Sequence, residues 1–263
     1  MPEGHVIHRI ARDQTKQFAG QKLTVLSPQG RFADGAKALS GRRLDVVEAY
    51  GKHLFYRFTG GKRLHVHLGL YGKFRSHPAP PPEPVGQVRL RAIGREQAFD
   101  LNGPNACHLV TKQEEEVILA RLGPDPLRDD ADPDLAWQRI SRSRAAIGAL
   151  LMNQEVIAGV GNIYRSEVLF LLGVHPETPG RELGGEQFDR LWEKLTELME
   201  IGLRYNRIII ADPATVGKPR GRMSRSERLL VYKQDRCTTC QTKVKSWQLA
   251  ARTIYACPKC QKR

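Results

Sequence analysis

Several things are missing from this chain of 263 residues. No run approaches the roughly 18 consecutive apolar residues that a membrane-spanning helix requires. The opening Met1-Pro2-Glu3-Gly4-His5 turns charged too early to hold the apolar centre of a secretory leader. Cysteine is scarce, five residues in all, too few for a disulfide-rich secreted scaffold of this length. Acids are outnumbered, 28 Asp and Glu against 42 Lys and Arg, a formal net charge of +14. No internal repeat is visible. These absences predict a soluble intracellular protein, cytoplasmic and without a membrane partner. Hydrophobic residues at 40% and charged residues at 27% exclude a disordered or fibrous chain, and the length suits two domains with a small appendix.

The positive charge is concentrated. Residues 201–263 hold 15 basic and 3 acidic side chains, which leaves 27 and 25 to residues 1–200. A local excess of this size is the electrostatic footprint of a polyanion's partner, most simply nucleic acid. The alternative is a solvated basic tail, which the apolar residues and four spaced cysteines of the same stretch argue against.

Hydrophobic spacing predicts an α+β multidomain chain. Val6, Ile7, Ile10, Ala11 and Phe18 recur at helical intervals near the start. From 42 to 110 the period becomes two: Leu44 and Val46, then Leu54, Tyr56 and Phe58, then Leu64, Val66, Leu68 and Leu70. Tyr50-Gly51-Lys52-His53 reads as a hairpin tip, Asn102-Gly103-Pro104-Asn105 as another turn, and His77 to Pro84 as an exposed proline-rich loop. The predicted organisation is a β-sandwich domain opened by a helix (1–121), a proline- and acid-rich linker (122–133), a helical domain (134–228) and a C-terminal module (229–263). Within the helical domain, short helices are expected near Ala146–Leu151 and from Asn162, a long amphipathic one through Phe188, Leu191, Leu195 and Met199, and a mobile loop over 212–228.

Cys237, Cys240, Cys257 and Cys260 form C-x2-C, sixteen intervening residues and C-x2-C. Two thiolate pairs at this spacing suit tetrahedral Zn2+, with turns at Thr238-Thr239 and Pro258-Lys259. Two disulfides would need an oxidising compartment, and a redox site needs one pair. Four ligands leave no open coordination position, so the zinc is predicted to be structural, one per chain, stiffening a hairpin whose Lys243, Lys245 and Arg252 face phosphate. Cys107, in an apolar strand, reads as a packed core residue. His65 and His67 share a strand face, and His53, His5 and His8 could approach them, but no carboxylate pattern completes a second metal site.

The N-terminus carries a reactive possibility. With Met1 removed, Pro2 presents a secondary amine at a helix start, where the helix dipole disfavours its protonated form. The free amine attacks electrophilic carbon and forms an iminium, and Glu3 beside it could move protons.

These segments together resemble the formamidopyrimidine/endonuclease VIII family of bifunctional DNA glycosylases. The resemblance runs the length of the chain: PEGHVIHRIA at the start, GKHLF around Lys52, HLGLYG at 67–72, LGPDPL at the linker, LLMNQEVIAGVGNIYRSEVLF at 150–170 and ARTIYACPKCQ at 251–261. It implies a helix–two-turn–helix motif around GVGNIYRSE and a C-terminal zinc ribbon, with double-stranded DNA in the cleft between the two main domains. By the same resemblance Pro2 is the Schiff-base nucleophile at sugar C1′, and Glu3 supplies protons. Lys52 contacts phosphate and helps β-elimination, Asn162 binds phosphate, and Arg252 grips phosphate and assists δ-elimination. Leu70 and Tyr71 fill the gap left by a flipped nucleotide. Read without the resemblance, Leu70 and Tyr71 are ordinary core residues and Lys52 a solvated lysine. The opening PEG leans toward the endonuclease VIII branch, so oxidised pyrimidines are the expected substrates. Oxidised purines are the alternative, and a non-catalytic DNA-binding zinc protein is the reading from another class. The chain departs from the family pattern at His5 and Val6, where Pro and Glu are usual, and at Gly69, where the endonuclease VIII branch has Gln. Asp100-Leu101-Asn102-Gly103 also lacks the arginine–phenylalanine pair of the formamidopyrimidine branch.

Overall fold

The computed structural model describes residues 2–262, and their contacts divide into two compact units. Residues through Glu3 and 7–121 form one; Gly4–Val6 and the chain from Leu122 form the other. Among the described residues no helix is long and apolar enough to cross a membrane.

In the first unit, helix α1 (Gly4–Phe18) lays Ile7, Ala11 and Phe18 into a core shared by two antiparallel sheets. One sheet runs β1 (Thr24–Leu26), β6 (Val88–Ile93), β7 (Gln97–Asn102), β5 (Lys73–Pro78). The other runs β2 (Leu44–Tyr50), β3 (His53–Phe58), β4 (Lys62–His67), β8 (Ala106–Val110). Leu54, Tyr56, Leu64 and Val66 of the second sheet meet Leu90, Phe99 and Leu101 of the first in one apolar cluster, and the period-two pattern exists because one face of each strand is buried. Phe99 packs edge-on to Phe18 and Phe74, with ring centroids 5.4 Å apart in each pair. Polar bonds fix the helix to the sandwich. Tyr56 Oη donates to Gln14 Oε1 at 2.6 Å, and Thr15 Oγ1 donates to Val47 O while accepting from Val47 N.

Helix α2 (Ala33–Leu39) and helix α3 (Lys112–Ala120) complete the unit. Thr111 and Glu114 close a reciprocal capping box on α3, and the buried Glu115 takes Arg57 and Arg63 from the outer face of the second sheet. His77 and Pro78, expected in a loop, lie in β5. The proline-rich segment beyond them is anchored by Arg91, which donates to Pro82 O at 2.7 Å and binds Asp100 with two nitrogens at 2.6 and 2.8 Å.

The second unit is helical: α4 (Pro133–Ser141), α5 (Ile147–Leu150), α6 (Asn162–Leu171) and α7 (Gly185–Tyr205). Val168 and Leu169 of α6 pack with Leu191, Leu195, Leu198 and Met199 of α7. Residues 212–228, expected to be a mobile loop without period, instead hold α8 (Pro213–Val216), a 3-10 turn at Arg220–Arg222 and α9 (Arg225–Arg228), capped by Asp212 and Ser224. These pieces are too short for a hydrophobic period to show, and the caps replace it as the ordering device. The unit ends in a hairpin, β9 (Lys245–Leu249) and β10 (Arg252–Ala256).

Candidate functional site

Pro2 is half-buried, and Glu3, in extended conformation, is the N-cap of α1, only 3% exposed, with a carboxylate that does not cap the helix. The next residue fixes this terminus in place. Gly4 N–H donates to Gly159 O at 2.8 Å, and a Cβ on Gly4 would stand 2.9 Å from Gly159 Cα and 2.8 Å from Met199 Cε. Only glycine allows that approach. His5, buried, sets its ring edge-on to Tyr164 at 5.4 Å. Removal of Met1 concerns a residue outside those described.

Lys52 lies at the β2–β3 tip, where Tyr50 and His53 are paired and Gly51 takes φ +56°. A positive φ at the first of two loop residues matches the twist of the strands. Burial first, then His67 and Lys52, lower His53 to about 4, and burial followed by Lys52 also lowers His67. Lys52 thus stands among imidazoles that stay neutral.

Leu70 and Tyr71 correct the strand alternation. It was expected to run through Leu70, but β4 stops at His67, and the two side chains are 50% and 85% exposed. Gly69 turns the chain at φ +65°, and Gly72 N–H closes onto Leu68 O at 3.0 Å. Neither residue is in the core. Because His53 pairs with His67, this loop and the Lys52 tip leave the same end of the sheet.

In the second unit Asn162 is the first residue of α6, following the N-cap Gly161. Its Nδ2 donates to Thr253 O at 2.9 Å, while Oδ1 is buried without a partner. An amide nitrogen has two donors, so one remains for an anion at the helix N-terminus. The fully buried Arg165 donates to Gly148 O at 2.9 Å, Leu249 O at 3.1 Å and Arg252 O at 3.2 Å. Helix α6 therefore grips the tip of the β9–β10 hairpin. That tip is Ala250-Ala251, both left-handed at φ +53° and +55°, a conformation that suits strand twist but strains alanine. Arg252 follows directly. Lys245, exposed, opens β9, and Lys243, also exposed, precedes it. They lie at the cysteine end of the hairpin, about 13 Å along the strand from the Arg252 end, so the structure does not gather the three cations.

The four thiols do converge. All four sulfurs lie within 4.8 Å of one another, with Cys240 Sγ 3.4 Å from Cys257 and 3.5 Å from Cys260, and Cys237 Sγ 3.8 Å from Cys260. Disulfides would need about 2.05 Å. Tetrahedral zinc with bonds of about 2.3 Å sets sulfurs about 3.8 Å apart, so the donor set fits the metal. Gln261 supports it, accepting from Cys257 N and donating to Val174 O, both at 2.9 Å. Among the described residues this is the group whose ligand atoms converge. His65 and His67 do share a face and His53 joins them, but His5 lies instead against Tyr164.

Sequence reasoning passed over Arg165 and Glu167, although both stand in the GVGNIYRSE segment. Glu167 accepts N–H bonds from Leu230, Val231 and Tyr232. A charged pair at the fourth and sixth residues of a largely apolar helix, positions 165 and 167, was the available signal.

Comparison with known proteins agrees with this geometry. Residues 1–102 match the formamidopyrimidine-DNA glycosylase N-terminal domain, and residues 122–213 the formamidopyrimidine-DNA glycosylase H2TH domain. Endonuclease 8 1 of Mycobacterium tuberculosis is 47% identical over 267 residues, covering 99% of this chain and 100% of its own. The formamidopyrimidine-DNA glycosylase of Methylococcus capsulatus is 31% identical with full coverage of both chains. Among solved structures, a complex of Lactococcus lactis Fpg with DNA containing an abasic site aligns with a TM-score of 0.83 at 22% identity, over 99% of this chain and 100% of that one.

Proposed function

The chain belongs to the formamidopyrimidine-DNA glycosylase/endonuclease VIII family, and from that premise we propose that it removes oxidised bases, pyrimidines first, from duplex DNA and then cuts the strand at the same deoxyribose. The observation that carries this reading is the terminus. Glu3 is buried at the N-cap of α1, and Pro2, half-buried, immediately precedes it.

The Pro2 nitrogen lone pair attacks C1′, the C1′–N bond to the base breaks, and the base leaves with a proton. Glu3 delivers a proton to the sugar oxygen, and the ring opens to an iminium between Pro2 and C1′. Loss of a proton from C2′ expels the 3′ phosphate, and loss of one from C4′ expels the 5′ phosphate. Lys52 and Arg252 hold the phosphates and stabilise the departing charge. Asn162 binds phosphate at the α6 N-terminus, and Leu70 and Tyr71 occupy the space of the extruded nucleotide. Lys243 and Lys245 contribute general attraction to the backbone.

Cys237, Cys240, Cys257 and Cys260 hold one structural zinc. When bound, the metal supplies folding free energy to the hairpin. Cys257→Ser is expected to lose zinc by metal analysis and to weaken binding to damaged and undamaged DNA alike.

Borohydride reduction on DNA with an abasic site should cross-link the protein through Pro2. A form that retains Met1 should give neither adduct nor strand cleavage, and an adduct from that form would sink the assignment. The greater identity to endonuclease 8 than to formamidopyrimidine-DNA glycosylase supports pyrimidines. Faster excision of oxidised guanine than of oxidised thymine, from a panel of defined lesions, would reverse that order. Sedimentation at working concentration should show a monomer.

A further inference from the structure

The outer face of the second sheet carries a row of imidazoles that the chemistry above does not use. In the cross-strand register Phe55 is opposite His65, His65 opposite His108, and His53 opposite His67. His53 Nδ1 lies 2.8 Å from His65 Nε2, and His65 Nδ1 lies 3.4 Å from His108 Nε2. The His53 and His65 rings are stacked 5.1 Å apart at 14°, and Phe55 lies nearly parallel to His65 on its other flank at 5.0 Å. The chain starts at the surface, since His108 is exposed, passes through the buried His65, and ends at the residue after Lys52.

Each junction holds one proton. A neutral imidazole has one N–H and one bare nitrogen, so in a neutral row every N–H points the same way. Burial first, then its imidazole neighbours, lower His65 to about 3, and His53 is lowered to about 4. Once His108 is doubly protonated its Nε2 must donate. His65 Nδ1 must then accept, His65 Nε2 donates to His53 Nδ1, and His53 is left with its N–H on Nε2. With His108 neutral, the opposite order is equally open.

We propose that His108, His65 and His53 form a tautomer relay in which protonation of His108 at the surface sets the hydrogen-bonding polarity of His53, making His53 and His65 positioning residues for Lys52. The positioning half rests on the reading of Lys52 given above. His108 faces Glu114 from α3, His65 from β4, and Arg31 and Asp34 across the depression that it borders. His53 faces His67 from β4, Tyr50 from β2 and Lys52 on its own hairpin.

Ring-labelled histidine nuclear magnetic resonance at about pH 5 and pH 8, the span over which histidine ordinarily titrates, tests the relay directly. In the wild type the His53 nitrogens should report an Nε2–H tautomer at the lower pH and change on raising it, and in His108→Gln that change should vanish. A His53 tautomer that stays constant in the wild type, or changes equally in His108→Gln, overturns the proposal. His65→Phe keeps the stack and removes both junctions. It should lower kcat for cleavage at an abasic site by about ten- to hundredfold, as small misplacements of a catalytic group do, with KM little changed. In a Lys52→Ala background it should have no further effect. Additive losses would show that the row does not act through Lys52. A Lys52→Ala protein that cleaves like wild type would overturn that lysine's role and the positioning claim with it, while the tautomer result is decided without reference to activity.

Discussion

Leu70 shows how a single residue escapes the periodic pattern around it. Its place in Leu64, Val66, Leu68, Leu70 obeys strand alternation, and periodicity alone places it in the core. Two glycines decide otherwise: Gly69 at φ +65° turns the backbone, and at Gly72 a Cβ would meet Leu68 O at 2.3 Å. Leu70 and its neighbour Tyr71 are 50% and 85% exposed, and the reading proposed above makes them contacts to DNA rather than parts of the core. Leu70→Ala should therefore leave the melting temperature within a degree or two, as surface substitutions do. It should lower excision from duplex DNA more than from single strands, where no gap needs filling. Equal losses on both substrates would place Leu70 in catalysis or folding instead. Other residues were legible because their chemistry is tied to spacing. The four cysteines needed only their intervals, whereas the turn Tyr50-Gly51-Lys52-His53 gave only the place of Lys52 at a hairpin tip, and its proposed role came from the family resemblance. The imidazole row was not legible, since His53, His65 and His108 are brought together by strand register, which no local pattern encodes.

At the scale of elements, long periodic segments were readable and short capped ones were not. Helices α1 and α7 show their apolar stripes in the sequence because each buries one face over several turns. Helix α3 went unread even though Thr111 and Glu114 spell a capping box, because Val117 faces solvent and blurs the stripe. Strand β1 and helix α2, three and seven residues long, carry too few positions for any period. The join between α6 and the terminal hairpin is held by Arg165, whose guanidinium satisfies three backbone carbonyls. Arg165→Met should lower unfolding stability by about 3 kcal/mol, the scale of stranding buried acceptors. Arg165→Lys, with one nitrogen, should recover only part. Urea denaturation of the three proteins measures both, and full recovery by lysine would mean that charge rather than the fork matters.

For the whole molecule, the histidine row makes stability depend on pH with a defined sign. His53 and His65 are held near 4 and 3 in the fold, from an ordinary 6.5. Below 6.5 the unfolded chain takes up protons that the folded chain refuses. The stability these residues contribute is thus complete above pH 6.5 and is lost on acidification down to about 3 to 4. The slope approaches about 1.4 kcal/mol per pH unit for each imidazole. His65→Phe should flatten the acid limb of a plot of melting temperature against pH, and an unchanged limb would show that other groups set it. Charge acts at the same scale: the excess basic residues beyond position 200 were readable by counting alone, whereas the hairpin's division of Arg252 from Lys243 and Lys245 was not.

The terminal hairpin resembles a beam clamped at both ends. Four sulfurs gather at its base, Arg165 and Asn162 hold its tip, and Trp247 lies 5.7 Å from His175 at mid-span. Such a member does not fail all at once. Loss of the base clamp leaves a cantilever whose tip still sits against α6. After chelation of the proposed zinc, amide exchange should accelerate first at Cys257 and Cys260 and last near Thr253, the arginine-bearing end outlasting the base.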